Sequence, residues 1–453
     1  MGRTSKTRSL HVLMNGESVG TWIVLPSGQH EFVYADTWIA APTSRPISIS
    51  MPVRKGKYSG DIVRGYFDNL LPNSDEIRLR LRDKFATKST EPFDLLTEIG
   101  RDCVGAIQLL PEGSDAGNVR QIIADPISDR DIEILLAGIV MPGFGKTMAG
   151  SDEFRISLAG AQEKTALLFH HGQWMKAHGA TPTTHILKLP LGHVGKYAFD
   201  MTTSVENEWL CSRILSAYGM AIAPCAIGEF GKSKALIVER FDRKLSPDNS
   251  WIMRLPQEDM CQATGIPPGR KYESDGGPGI KAIMEILLGS SRSEIDRQEF
   301  FRAQIAFWML CALDGHAKNF SLSIEQGGGY RLTPLYDVLS AYPVMGHGAK
   351  MLSPHNARMA MAVWGKNRHY DWKNIEARHF IRTGCDCGVS RATCTSIIDE
   401  MIAKTPSVID SVDYEMPSGF PDVVSGSIFA GLKESAMRLQ KMQHNSGGKT
   451  THT

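Results

Sequence analysis

Three polar residues spaced along one short stretch restrict this chain more than any bulk property. From Ala312 the sequence runs Ala-Leu-Asp314-Gly-His-Ala-Lys-Asn319. It continues through Phe-Ser-Leu-Ser-Ile, a Glu-Gln-Gly-Gly-Gly turn and Tyr-Arg-Leu-Thr-Pro-Leu, and ends on Tyr-Asp337. Alternation around a glycine turn predicts a β-hairpin, and a hairpin returns the chain to where it began, setting Asp337 beside Asp314 and Asn319. Metal-assisted phosphoryl transfer needs such a set. One carboxylate orients the attacking hydroxyl and takes its proton, while an amide oxygen and a second carboxylate hold magnesium against the triphosphate. Asp-Gly and Asn also furnish ordinary structural turns; the spacing, together with a lone strand lysine upstream, favours the chemical reading.

Bulk properties exclude several alternatives. The 453 residues, 42% of them hydrophobic, suffice for two or three packed units. Fifty basic against forty-nine acidic residues give a formal charge of +1, so no global field draws the chain to nucleic acid or an anionic membrane. Eight scattered cysteines, with no apolar segment after the basic start, fit reduced thiols. No run of about eighteen apolar residues exists to span a bilayer. The expectation is a soluble, cytoplasmic enzyme with no membrane partner.

Along the chain, short strands with turns are expected from about residue 10 to 50, and a helical stretch over 61–82 with Tyr66, Leu70 and Leu71 on one face. A second helix is expected near 129–137. The order then becomes strand, strand, helix, strand from Phe154 and mainly helical from Trp251. A small β-rich part leading into a helical part is the order of a protein-kinase-like bilobal α+β fold, here with an extra N-terminal β-rich subdomain. The expected divisions are 1–148 for that subdomain and linker, 149–250 for the nucleotide-binding region, 251–435 for the helical lobe and 436–453 for a disordered tail.

The segment Ser157-Leu-Ala159-Gly160-Ala161-Gln162-Glu163-Lys164 joins two apolar runs by a small-residue loop, whose amides are placed to close over phosphates. Downstream, Thr184-His-Ile-Leu-Lys188-Leu-Pro puts a lysine inside an apolar strand, where it requires an anion. The bland alternative is a strand lysine snorkelling to water. In the following helix Thr203-Ser-Val-Glu206 resembles a capping box, which would occupy Glu206. That makes Glu208 the first choice as partner of Lys188, with Glu206 the alternative. The strand Ala235-Leu-Ile-Val-Glu239-Arg240-Phe241 turns polar at its end, as an adenine-binding hinge does, although a core strand meeting a charged loop looks the same. The loop Lys271-Tyr-Glu-Ser-Asp-Gly-Gly-Pro has no assignable chemistry beyond joining helices or holding a peptide.

Six ordered motifs, Ser157-Leu-Ala-Gly-Ala-Gln-Glu-Lys164, His185-Ile-Leu-Lys188-Leu-Pro, Val238-Glu-Arg-Phe-Asp-Arg243, Leu255-Pro-Gln-Glu-Asp-Met-Cys261, Asp314-Gly-His-Ala-Lys-Asn319 and Pro334-Leu-Tyr-Asp-Val338, resemble the HipA family of kinase toxins from bacterial toxin–antitoxin modules. The resemblance implies ATP- and Mg2+-dependent phosphorylation of Ser or Thr on a protein. It implies Asp314 as catalytic base and Asn319 and Asp337 as metal ligands. Residues 159–164, Lys188, Glu239, Arg240, Phe241, His316, Ala317, Lys318 and Tyr336 would then surround the nucleotide. Ser157 matches the serine that such toxins phosphorylate on themselves, and a dianion in a phosphate-cradling loop would repel ATP and switch the enzyme off. The resemblance further implies a HipB-type antitoxin dimer as partner, operator DNA gripped mainly through that antitoxin, and a corepressor role. Glutamyl-tRNA synthetase is one target known in the family; no motif of this chain selects it. Two other functions compete: a small-molecule kinase with the same catalytic set, and a catalytically silent corepressor scaffold.

Overall fold

The computed structural model describes residues 6–140, 157–160, 162–195 and 197–447. Its elements divide into two compact units: Met1–Leu189 with Gly228–Lys271 and Ser321–Tyr330, and Pro190–Ile227 with Tyr272–Phe320 and Arg331–Thr453. The expected boundary at 148/149 falls outside the described residues.

The two larger sheets of the first unit have separate cores. Five antiparallel strands stand in the order Lys57–Ser59, His30–Tyr34, Glu17–Val24, Arg8–Met14, Ile107–Pro111. Along Arg8–Met14 alternate residues Leu10, Val12 and Met14 are buried, as a sheet with one face on a core demands. Asn15 and Gly16 join the first two strands with φ of 47° and 85°, the paired positive φ of a type I′ hairpin. Beneath lies Trp22, stacked on Phe67 at 4.0 Å. The helix expected over 61–82 is in fact two, Asp61–Asp68 and Asp75–Phe85. Pro72 lies between them, where a continuing helix would lose a hydrogen bond, and Ser74 caps the second through Ile77 N–H at 3.4 Å.

The second sheet runs Cys225–Phe230, Ser233–Glu239, His185–Lys188, Lys164–His170, Gln173–Ala177, Ala124–Pro126. Leu167, Leu187 and Ala235 pack there against Ile132 and Leu136 of the helix Asp129–Val140, the helix expected near 129–137. A buried ion network ties the ends of this unit together. Asp102 meets Arg243 at 2.9 Å and Arg240 and Arg254 at 3.3 Å, and Asp242 meets Arg240 at 2.9 Å. Burial pushes the Asp102 carboxyl up, but Arg243, Arg240 and Arg254 outweigh it and hold the group well below the usual carboxylate range.

The second unit is mainly helical. From Phe300 on, the helix Ser293–Met309 is buried nearly all round, with Phe300, Phe301, Phe307 and Trp308 inside; such a stretch belongs to a core. Trp308 and Trp372 each donate an indole N–H to the other's backbone carbonyl, at 3.0 and 2.8 Å. The expected disordered tail from 436 is instead the end of a helix, Asp422–Gly447, because Leu432, Ala436 and Leu439 present an apolar stripe that is buried. Residues 448–453 lie outside the described ones.

Candidate active site

The helix Ser293–Met309 delivers the chain to Asp314. After the helix Cys311 takes φ 48°, its carbonyl accepts Ala341 N–H at 3.0 Å, and Ala360 N–H donates to Leu313 O at 3.0 Å. The turn from Asp314 is tight: His316 N–H donates to Asp314 O at 2.8 Å and Asn319 N–H to His316 O at 2.9 Å. Gly315 is required there, since a Cβ would overlap the Phe307 ring. The carboxylate of Asp314 is largely exposed, whereas His316, Ala317, Lys318 and Asn319 are buried.

Asp337 returns to the same place. Ser321–Ile324 and Tyr330–Leu332 are neighbouring strands around a turn in which Glu325 N–H donates to Gly329 O at 2.7 Å. Leu335 is then fixed by exchange of backbone hydrogen bonds with Ala221 and Ala223, both 2.8 Å, and Ser340 by the Asn207 side chain, again both 2.8 Å. Between these anchors Asp337 sits in the left-handed region at φ 62°, which Asp tolerates better than most residues and which concentrates at functional sites. The Asn319 amide Nδ2 donates to Asp314 O at 3.2 Å and to Asp337 O at 3.1 Å. With its nitrogen committed, Oδ1 is the atom Asn319 offers a cation. Tyr336 Oη donates to Lys318 O at 2.8 Å. Asp314, Asn319 and Asp337, together with His316, Lys318 and Tyr336, are therefore one constellation of the second unit. Among the described residues no group of three His, Cys, Asp or Glu side chains could hold a metal unaided. One carboxylate and an amide oxygen, those of Asp337 and Asn319, fit instead a hard cation that keeps water and phosphate oxygens as its other ligands.

The remaining expected residues belong to the first unit, apart from Glu206 and Glu208. Lys188 is buried and stands opposite Lys164 on one neighbouring strand and Leu236 on the other. The loop before Lys164 is tied down. Ser157 is fully buried; its Oγ donates to Leu70 O at 2.7 Å and its N–H to Asp102 O at 3.1 Å. Gly160 O accepts Asn73 N–H at 3.0 Å, Gln162 Nε2 donates to Leu189 O at 2.6 Å, and Glu163 pairs with Arg80. A Cβ on Gly160, at φ 114°, would meet the Lys164 ammonium; Ala159 is half-buried, and Ala161 lies outside the described residues. Glu239 ends its strand exposed and Phe241 is half-buried. The Arg240 guanidinium is turned wholly into the Asp102 and Asp242 network.

Glu206 and Glu208 are both buried on the helix Ser204–Ala217 of the second unit. The capping box expected at Thr203 lacks its threonine half: Thr203, at φ −97° and ψ 21°, makes no side-chain cap, because its backbone is not in the extended form that aims the hydroxyl at the helix. A capping box does form between Asp259 and Gln262, which accounts for part of the Leu255–Cys261 motif. Sequence reasoning missed Tyr272, whose hydroxyl reaches Asp314, and Asp102; neither stands near its partners in the chain, so no local pattern marked them.

The Asn319 amide thus ties the backbones of Asp314 and Asp337 together after a buried helix. Residues 156–409 match the HipA-like C-terminal domain and residues 10–110 the HipA N-terminal domain; the chain belongs to the HipA family. It is 31% identical over 430 residues, 92% of this chain and 97% of the relative, to Y4mE of Sinorhizobium fredii, described as a candidate kinase. To the serine/threonine-protein kinase toxin HipA of Shewanella oneidensis it is 26% identical over 385 residues, 82% of each chain. The fold is that of a chain in the solved complex of Shewanella oneidensis MR-1 HipA, HipB and operator DNA, with a TM-score of 0.78 at 20% identity over 96% of this chain and 98% of that one. Among the described residues no helix is long and apolar enough to cross a membrane.

Proposed function

We propose that this chain is an ATP- and Mg2+-dependent protein serine/threonine kinase, the toxin of a toxin–antitoxin pair. The observation that carries the reading is the Asn319 amide bonded to the backbone of both Asp314 and Asp337. It draws one proton acceptor and two oxygen ligands into one constellation, the arrangement that phosphoryl transfer uses. Asp314, exposed and preceding a rigid turn, takes the proton of the acceptor hydroxyl. Asn319 Oδ1 and the Asp337 carboxylate would hold Mg2+, which when bound neutralises triphosphate charge. In the first unit Lys188 and Lys164 supply cations for phosphate. The segment Glu239–Phe241 meets the adenine edge; within it the Arg240 guanidinium is engaged with Asp102 and Asp242, and its N–H with Thr184 O at 2.9 Å.

Ser157 is the proposed self-modification site. A phosphate on its Oγ is incompatible with the buried hydrogen bond to Leu70 O, so the modified loop must leave this seat and give up its grip on ATP. The kinase toxin HipA of Shewanella oneidensis supports the toxin role, and the solved complex supports a HipB-type antitoxin and operator DNA as partners; DNA held mainly through the antitoxin, a corepressor function and a cytoplasmic location are proposed with them from the family resemblance. A protein target such as glutamyl-tRNA synthetase follows from family resemblance alone.

The test is incubation of purified protein with Mg-ATP and mass spectrometry. Phosphate on Ser157 in the wild type and none in Asp314→Asn is the expected outcome. Transfer solely to an added small metabolite, or undiminished growth inhibition by Asp314→Asn, would refute the reading.

A further inference from the structure

Tyr272 Oη donates to Asp314 Oδ1 at 2.5 Å, and its ring packs edge-on to His316 with centroids 5.1 Å apart. This tyrosine belongs to the loop that carried no assignable chemistry in the sequence. Its carbonyl accepts Asp275 N–H at 3.1 Å and Gly277 N–H at 2.9 Å, and the carboxylate of the next residue, Glu273, accepts Ala362 N–H at 2.7 Å. The part left to move is the ring, about its own side-chain torsions.

Building on the kinase reading, we propose that Tyr272 occupies the acceptor subsite of Asp314 and decides which hydroxyl reaches it. Any acceptor must place an O–H donor on that carboxylate, and the phenol already does so. Burial, with the Asp314 charge next, pushes the phenol's pKa well up, so it holds its proton and gives none to the base. A hydroxyl carried on a polypeptide, anchored by contacts elsewhere, displaces the ring; water and small alcohols have no such anchorage and are excluded. In the productive step the acceptor O–H bond breaks with its proton passing to Asp314. The acceptor oxygen bonds the γ-phosphorus, and the bond from that phosphorus to the β,γ-bridging oxygen breaks, its electron pair leaving with ADP.

The test compares wild type, Tyr272→Phe and Asp314→Asn with radiolabelled Mg-ATP, using dephosphorylated casein or water alone as acceptor. Phenylalanine keeps the ring against His316 and removes the donor. Its expected signature is ATP hydrolysis by water raised about tenfold, the equivalent of one hydrogen bond to a charged group, and a lower KM for casein at nearly unchanged kcat. Unchanged hydrolysis and KM would overturn the proposal while leaving the kinase reading intact. So would a fall in kcat at unchanged KM, which marks a tyrosine that merely supports the loop. Absence of transfer by the wild type refutes the kinase reading and this proposal with it.

Discussion

The side-chain nitrogen of Asn319 lies 3.1 Å from the backbone oxygen of Asp337, eighteen residues further along the chain. That one bond, with its companion to Asp314 O, makes Asn319 a clamp as well as a proposed ligand. The two duties separate by substitution. Asn319→Asp keeps an oxygen for a cation but has no donor for the two carbonyls, and Asn319→Ala lacks both. Each is expected to lose about 0.5–1.5 kcal/mol of stability per hydrogen bond given up. Alanine is also expected to lower kcat by a further hundredfold or so. Chemical denaturation beside a Mg2+ titration of activity reads the two effects separately.

Gly315 sets how closely the catalytic turn approaches the core helix. A methyl group there overlaps the Phe307 ring, so Gly315→Ala is expected to cost about 1–3 kcal/mol, as overpacking does, and to displace Asp314. Adding Phe307→Leu makes room. The double variant is expected to recover part of the activity, measured as a double-mutant cycle; strictly additive losses would contradict the contact.

The Asp102 carboxylate faces three buried guanidinium groups. Its removal leaves cations buried without their counter-charge, so Asp102→Ala is expected to cost about 3–5 kcal/mol. Asp102→Asn should cost less, since its amide oxygen still accepts from arginine. Urea melts of the full chain decide it.

Glu258 gives stability a pH dependence. It is buried, accepts Ile49 N–H at 2.8 Å, and burial pushes its carboxyl up to about 8. The folded form thus keeps a proton that the unfolded chain releases near the ordinary glutamate value of about 4.3. Between those pH values the native state binds more protons, so this contribution is full in acid and is lost as pH rises towards 8. Glu258→Gln is expected to flatten the fall in melting temperature across that window; an unchanged slope would show that another group sets it.

Local sequence determined the parts of this protein whose partners are near in the chain. Strand alternation, the Asn15-Gly16 hairpin, the turn from Asp314 to Asn319 and the glycine hairpin leading to Asp337 follow from backbone preferences over a few residues, and so the proximity of Asp314, Asn319 and Asp337 was legible. The break at Pro72 and the helical end at 436–447 were not read correctly, because a proline between two short helices and an apolar stripe within a polar tail take their meaning from what they pack against. Tertiary structure alone decided the rest. Tyr272 reaches Asp314 across forty-two residues and Asp102 meets Arg240 across 138; no local spacing encodes such pairs. Burial, which commits a guanidinium to a salt bridge or a phenol to a carboxylate, exists only once the chain has folded.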